Sequence, residues 1–461
     1  MKKIVLLLAA FMMCMSTMSA QTVKPFVEGD RVAYLGNSIT DGGHYHSYMW
    51  LFYMTRFPNM PLSMYNVGIG GDTAYDMNKR LDGDVFSKNP TVLLVTFGMN
   101  DSGYYEYNGD NAAEFGEKKY NESIENFKQM EKRLLGLDNV RIVMVGTSPY
   151  DEFAKIEGNT PFNKKNETMK RIVEYQRQTA EKNGWEFVDW NAPMVALNRQ
   201  FQETDPSFTL CGNDRVHPDN DGHMVMAYLL LKAQGFVGNE VADVEIDASK
   251  KIATKAENCT ITNIKRVGNE LKFDYLAEAL PYPLDTIPRN WGAKKSQAEG
   301  VKVVPFMDEM NREMLTVKGL KGNYKLIIDD QEVGVWSGKE LAAGINLAAE
   351  SKTPQYQQAL AVMHLNEYRY DIERVFREFA WCQYGFFQQH GLANANNRKA
   401  IEVMDANVEK NGWLKGRRDM YAKMMHPAVY EAREQEMKVL VDKIYEINKP
   451  VTRTVVLRKV K

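Results

Sequence analysis

Two short clusters at opposite ends of the first half of the chain hold the residue types needed for nucleophilic catalysis. Gly36-Asn37-Ser38-Ile39-Thr40-Asp41-Gly42 contains a serine, and Asp214-Arg215-Val216-His217-Pro218 contains a carboxylate three residues ahead of a histidine. A serine hydroxyl is a weak nucleophile until a base takes its proton, and a histidine serves as that base when a carboxylate orients its ring. Between them stand Asn66-Val67-Gly68-Ile69-Gly70-Gly71-Asp72-Thr73, whose glycines leave backbone N–H groups free, and Gly98-Met99-Asn100-Asp101, with a side-chain amide. Such donors stabilise the oxyanion of a tetrahedral intermediate.

Taken singly, each cluster has an ordinary explanation. Serines after strands cap helices, glycine pairs make tight turns, Asn-Asp closes turns, and an Asp-xx-His pair is often structural. The first cluster is also not the GxSxG elbow, because Thr40 stands where its second glycine belongs. Their joint order, Ser, Gly, Asn, then Asp-xx-His, is what points to one site.

The elements around them decide whether they can meet. β-Branched apolar runs at 31–35, 62–67, 91–97, 140–146 and 185–188 predict five strands. Helix-period segments lie between them; Tyr120, Ile124, Phe127, Met130 and Leu134 repeat at three and four residues and form one apolar stripe. Strands alternating with helices predict an α/β domain: a five-stranded parallel sheet with helices on both faces. The first three clusters follow predicted strands, at the sheet edge where such folds bind ligands, and the fourth precedes a helix.

With these blocks in place, residues 27–235 resemble the SGNH (GDSL-like) hydrolase family, whose signature blocks centre on Ser, Gly, Asn and Asp-xx-His. The resemblance implies an α/β/α sandwich of SGNH, flavodoxin-like type. It further implies Ser38 as nucleophile, His217 as base and then acid, Asp214 as its orienting partner, and an oxyanion hole from the N–H groups of Ser38 and Gly71 with the Asn100 amide. Asn37 stands where many members have Asp, which touches the loop's hydrogen bonding and leaves the serine in place.

The chain has 461 residues, 44% of them hydrophobic, and its 58 basic and 60 acidic residues give a formal charge of −2. This offers no case for nucleic acid as a partner. Residues 1–20 read as a cleaved signal peptide: Lys2 and Lys3, an apolar stretch at 4–13, then Ser19-Ala20. A secreted or periplasmic location follows. Lipidation at Cys14 is less favoured because Phe11-Met12-Met13 lacks the small residues of lipoprotein signals, and no other stretch reads as membrane-spanning. Cys211, Cys259 and Cys382 allow at most one internal bridge and lack zinc-ligand spacing. The expected chemistry needs neither metal nor cofactor. His44 and His46 flank Tyr45 near the serine but lack a third ligand, and read as substrate-wall or solvent-facing residues; His223 reads as a helix-start residue.

The organisation expected is a hydrolase domain over 25–238, a β-rich accessory domain over 239–338, and a helical region with a terminal strand over 339–461. Leu341-Ala342-Ala343-Gly344-Ile345-Asn346-Leu347-Ala348 and Thr353-Pro354-Gln355 resemble extensions of secreted bacterial members of the family. The function expected is a cofactor-free serine esterase acting on short-acyl, acetyl-type esters of carbohydrate. A lipid esterase or thioesterase, or a non-catalytic carbohydrate-binding protein, are the alternatives. Tyr104 and Tyr105, in an aromatic and polar loop after Asn100, are the expected substrate contacts.

Overall fold

The computed structural model describes residues 22–289 and 291–460; the signal peptide expected over residues 1–20, with Cys14, lies outside them. Five parallel strands form the first sheet: β1 (Arg31–Gly36), β2 (Ser63–Gly68), β3 (Val92–Val95), β4 (Arg141–Gly146) and β5 (Glu186–Asp189). Their order is β2-β1-β3-β4-β5. Side chains alternate across each strand, so Val32 and Tyr34 join one core while Ala33 and Leu35 join another on the opposite face. Helices cover both faces: the predicted stripe lies on Ala112–Leu134, with Phe127, Met130 and Leu134 buried. The expected α/β fold is therefore present.

Two further sheets set the outer architecture. In the β-rich region, Ala242–Asp247, Glu313–Lys318, Ile252–Glu257 and Ile345–Asn346 make one sheet. A second sheet contains Cys259–Val267, Glu270–Ala277, Asn323–Ile328 and Gln331–Ser337, and the last strand, Arg453–Lys459, runs through its middle. Leu457 pairs with Leu326 on one side and Leu271 on the other, so the helical region is inserted into a β domain that only the end of the chain completes.

The helical insertion begins with α1 (Pro354–Ala380). Thr353 caps it by accepting from the Tyr356 N–H, and Pro354 supplies a fixed φ at the first position. Its face of Ala359, Val362 and Met363 joins the core around Tyr45–Arg56, a helix buried along its whole length. Full burial of side chains such as Val362 and Met363 contributes about 1.5–3 kcal/mol each. The insertion ends in a tip with its own small core, Cys382, Phe387, Leu414 and Tyr421. Cys211, Cys259 and Cys382 are all free thiols. Among the described residues no helix is long and apolar enough to cross a membrane.

Candidate active site

The carboxyl ends of β1, β2 and β3 release three loops at one sheet edge, and the loop before helix Asn220–Ala233 reaches the same place. Ser38 is the first residue of a one-turn helix, Ser38–Asp41. Asn37 caps it, its Oδ1 accepting from the Ile39 N–H at 3.0 Å. The hydroxyl of Ser38 lies 2.8 Å from His217 Nε2, and His217 Nδ1 lies 2.6 Å from Asp214 Oδ2. Asp214 also accepts the N–H groups of Val216 and His217, each at 2.9 Å. Partial burial would raise the Asp214 carboxyl, but these bonds and His217 outweigh it and hold it below the usual value. The three side chains make a relay in which a histidine can remove the serine proton.

Gly71 adopts φ +90, a conformation that a side chain would strain. Its N–H and that of Ser38 have no protein acceptor among the described residues. Asn100 is held from two sides: its Nδ2 donates to the Asp72 carbonyl at 2.9 Å, and its Oδ1 accepts from the Tyr104 hydroxyl at 2.7 Å. This assigns the two ends of the amide and leaves the second N–H of Nδ2 for a ligand. Asp101 takes no part in the relay; it ties the loop by accepting from the Ala74 and Gly98 N–H groups.

Several supports have no motif. Lys165 is fully buried and donates to the Met99 carbonyl, Ser102 Oγ and the Gly103 carbonyl, which fixes the Asn100 loop; burial holds its pKa well below the usual value. Arg215, inside the Asp-xx-His block, turns inward at φ 68 to bond the Asp151, Ala154 and Asn159 carbonyls. Arg80 bonds the carbonyls of Gly36 and Val67 together with Asp72 and Asp84.

A cleft of about 900 Å³ opens over Ser38, Gly71, Asn100 and His217. Its far wall comes from the helical insertion: Trp381 and Tyr384 on a π-helical turn, Gln388, Gln389, Trp413 and Arg417. Trp291 stands over His217, ring centroids 5.9 Å apart, and divides this cleft from a second hollow of about 280 Å³. Nothing in the local sequence marks these wall residues.

Tyr104 and Tyr105 line neither hollow. Tyr104 is engaged with Asn100 and lies under the Lys165 ammonium, 3.9 Å from its ring centroid, while Tyr105 is 81% exposed against Phe162. His44 and His46 are neither wall nor solvent-facing; both are buried, because α1 packs over the helix they begin. His44 Nε2 meets Glu367 of α1 at 3.2 Å, and His46 Nε2 meets the Thr40 carbonyl. His223 sits in the first turns of its helix, buried.

Residues 34–225 match the GDSL-like Lipase/Acylhydrolase family, and residues 360–449 match the Diltiazem deacetylase C-terminal helical domain. The structure is similar to that of a gut microbial diltiazem-metabolizing enzyme, with 74% identity, 96% of this chain and 100% of that chain covered, and a TM-score of 0.95. The sequence is also similar to that of an acetylxylan esterase of Geobacillus stearothermophilus, 26% identical over 225 residues that span 45% of this chain and 95% of that protein. With likeness at that level over nearly all of both chains, and with the matched domain spanning all four loops of the site, the chain belongs to the GDSL-like (SGNH) acylhydrolase family and is an esterase.

Proposed function

We propose that the chain is a serine esterase that removes acetyl or similarly short acyl groups from bulky ring-bearing alcohols, with acylated sugar as the class its cleft suits best. The observation that carries this is the size and chemistry of the cleft. An acetyl group fills a small fraction of about 900 Å³, so most of that space is for the alcohol. Trp381, Tyr384, Trp413 and Trp291 offer flat faces, and Asp76, Lys79, Gln388, Gln389 and Arg417 supply polar edges. Sugar rings need both, with apolar C–H faces and a rim of hydroxyls. Two of the similarities support an acetyl ester: residues 360–449 match the helical domain of diltiazem deacetylase, and the hydrolase region is similar to an acetylxylan esterase.

In this reading Ser38 attacks the ester carbonyl as His217 Nε2 takes its proton, with Asp214 stabilising the imidazolium. The carbonyl oxygen gains charge against the N–H groups of Ser38 and Gly71 and the free N–H of Asn100. Collapse expels the alcohol, which takes its proton from His217, and leaves acyl-Ser38. A water then attacks with His217 again as base, releasing the acid.

The test measures acid release from an acetylated xylo-oligosaccharide, diltiazem, and 4-nitrophenyl esters of two to twelve carbons, with Ser38→Ala as control. Release from the first two and fastest turnover of the shortest ester is expected. Faster cleavage of long-chain esters removes the short-acyl reading, and turnover of diltiazem with none of the acetylated sugar removes the carbohydrate part.

A further inference from the structure

The helical insertion does more than wall the cleft. Arg377, on α1, is buried and bonds Asp84 through both Nη atoms at 2.8 Å, while its Nε donates to the Gly68 carbonyl at 2.9 Å. Asp84 is shared: its Oδ2 also accepts from Arg80 Nη1 at 2.6 Å. Arg80 continues the chain of contacts to Asp72 Oδ2 at 2.6 Å, the Val67 carbonyl at 2.8 Å and the Gly36 carbonyl at 3.2 Å. Asp72 in turn accepts the Asn100 amide through its own carbonyl. One turn before Arg377 on the same helix, Glu373 accepts the Asn66 N–H at 2.8 Å.

We infer that Arg377, through Asp84 and Arg80, is a positioning residue for the oxyanion hole, so that the helical insertion sets the rate of the chemical step as well as the fit of the alcohol. The inference rests on the roles proposed above for Ser38, Gly71 and Asn100. The carbonyls that the two arginines hold belong to Gly36, two residues before Ser38, and to Val67 and Gly68, just before Gly71. Two arginines and two aspartates, all buried, balance in charge. Burial would raise the Asp84 carboxyl, but Arg377 and Arg80 bring it down to about 2, so the Asp84 link to both arginines stays ionised at any working pH, whereas at Asp72 burial outweighs Arg80 and pushes the carboxyl up to about 7. A planar guanidinium bonding a carboxylate at two points and a carbonyl at a third has one geometry; a lysine cannot reproduce it. Displacing an oxyanion donor by a fraction of an ångström costs rate, because its worth lies in being preset.

The experiment uses Arg377→Lys, Arg377→Met and the charge-balanced pair Asp84→Asn/Arg377→Met, which guards against loss of folding from an unpaired buried charge. Active sites are counted by stoichiometric labelling of Ser38 with a fluorophosphonate. Rates are then measured with 4-nitrophenyl acetate, too small to need the insertion's wall, and inhibition with phenylboronic acid, which forms a tetrahedral adduct on the serine. Per labelled site, kcat is expected to fall about 10- to 100-fold with KM within a factor of two, and the boronate inhibition constant to rise in parallel. A merely structural role lowers the number of labelled sites and leaves kcat per site and boronate affinity unchanged; that result, in any folded variant of the three, overturns the inference. If the wild-type protein is not labelled at Ser38, the serine reading itself fails, a separate outcome.

Discussion

The shaft and the tip of the helical insertion are built on opposite principles. Along the shaft, α1 faces the catalytic sheet with charge: Glu367 on His44, Glu373 on the Asn66 N–H, Arg369 on Glu373 and Arg377 on Asp84, all buried. At the tip, past Ala380, the aromatic residues Trp381, Tyr384 and Trp413 face the catalytic loops beside Gln388, Gln389 and Arg417, none of them paired with a catalytic-domain carboxylate among the described residues, and Trp413 is 64% exposed. The tip rests on a separate core around Cys382, Phe387 and Leu414. Buried, satisfied charge pairs impose one geometry and tolerate little change, whereas exposed aromatic faces can change without disturbing the fold. One insertion thus divides its work: the shaft holds the loops and the tip meets the alcohol.

The largest test concerns what both regions serve. Ser38→Ala should lower kcat by roughly ten-thousandfold or more on every ester, large or small, because it deletes the nucleophile. Residual turnover near wild type in stopped-flow assays would make any division of labour around Ser38 irrelevant. Next, Asn100→Ala should lower kcat by about a hundred- to a thousandfold with KM little changed, again for every ester. A rise in KM alone would make Asn100 a ground-state contact and move the comparison from rate to binding.

Below these come the tip residues. Trp413→Ala and Trp381→Ala should each raise KM for the acetylated oligosaccharide by about three- to tenfold, the scale of one lost aromatic contact, and leave 4-nitrophenyl acetate unaffected. Equal loss on both substrates would mean that the tip, like the shaft, controls the catalytic loops.

The smallest effect is on stability. Burial beneath α1 lowers the His46 pKa to about 4, below the roughly 6.5 of an unfolded histidine. Between those values the unfolded chain binds a proton that the folded one refuses, so this contribution is constant above pH 6.5 and is lost as pH falls toward 4. The slope is at most about 1.4 kcal/mol per pH unit. Urea midpoints of wild type and His46→Gln, taken from pH 7 to pH 4, should therefore converge at the acid end relative to their separation at pH 7. A constant separation would show that the shaft does not feel this proton.

Much of the frame is legible in order along the chain. Parallel strands buried on both faces read as near-continuous apolar runs, so 31–35, 140–146 and the others stand out, and a run at 451–460 is visible as a strand even without its partners. Ser38, Asp214 and His217 are legible for a different reason: each sits in a short motif whose neighbours do local work. Asn37 caps the turn of Ser38, and Asp214 binds the backbone of the loop that carries His217. Tyr104 was visible as an aromatic beside Asn100, but its direction was not, because the Asn100 oxygen and the Lys165 ammonium turn it away from the cleft.

Sequence alone thus determined the α/β class, the family and the order of the four blocks, since periodicity and short-range hydrogen bonding are properties of neighbouring residues. Only the tertiary structure decided which distant groups share one dielectric interior. Arg377 finds Asp84 across 293 residues, His44 and His46 lose water only when α1 covers them, and Trp381 and Trp413 become a wall only when the tip folds over Ser38. A buried arginine and a surface arginine are the same letter; desolvation, which makes the first one exacting, is a property of everything packed around it.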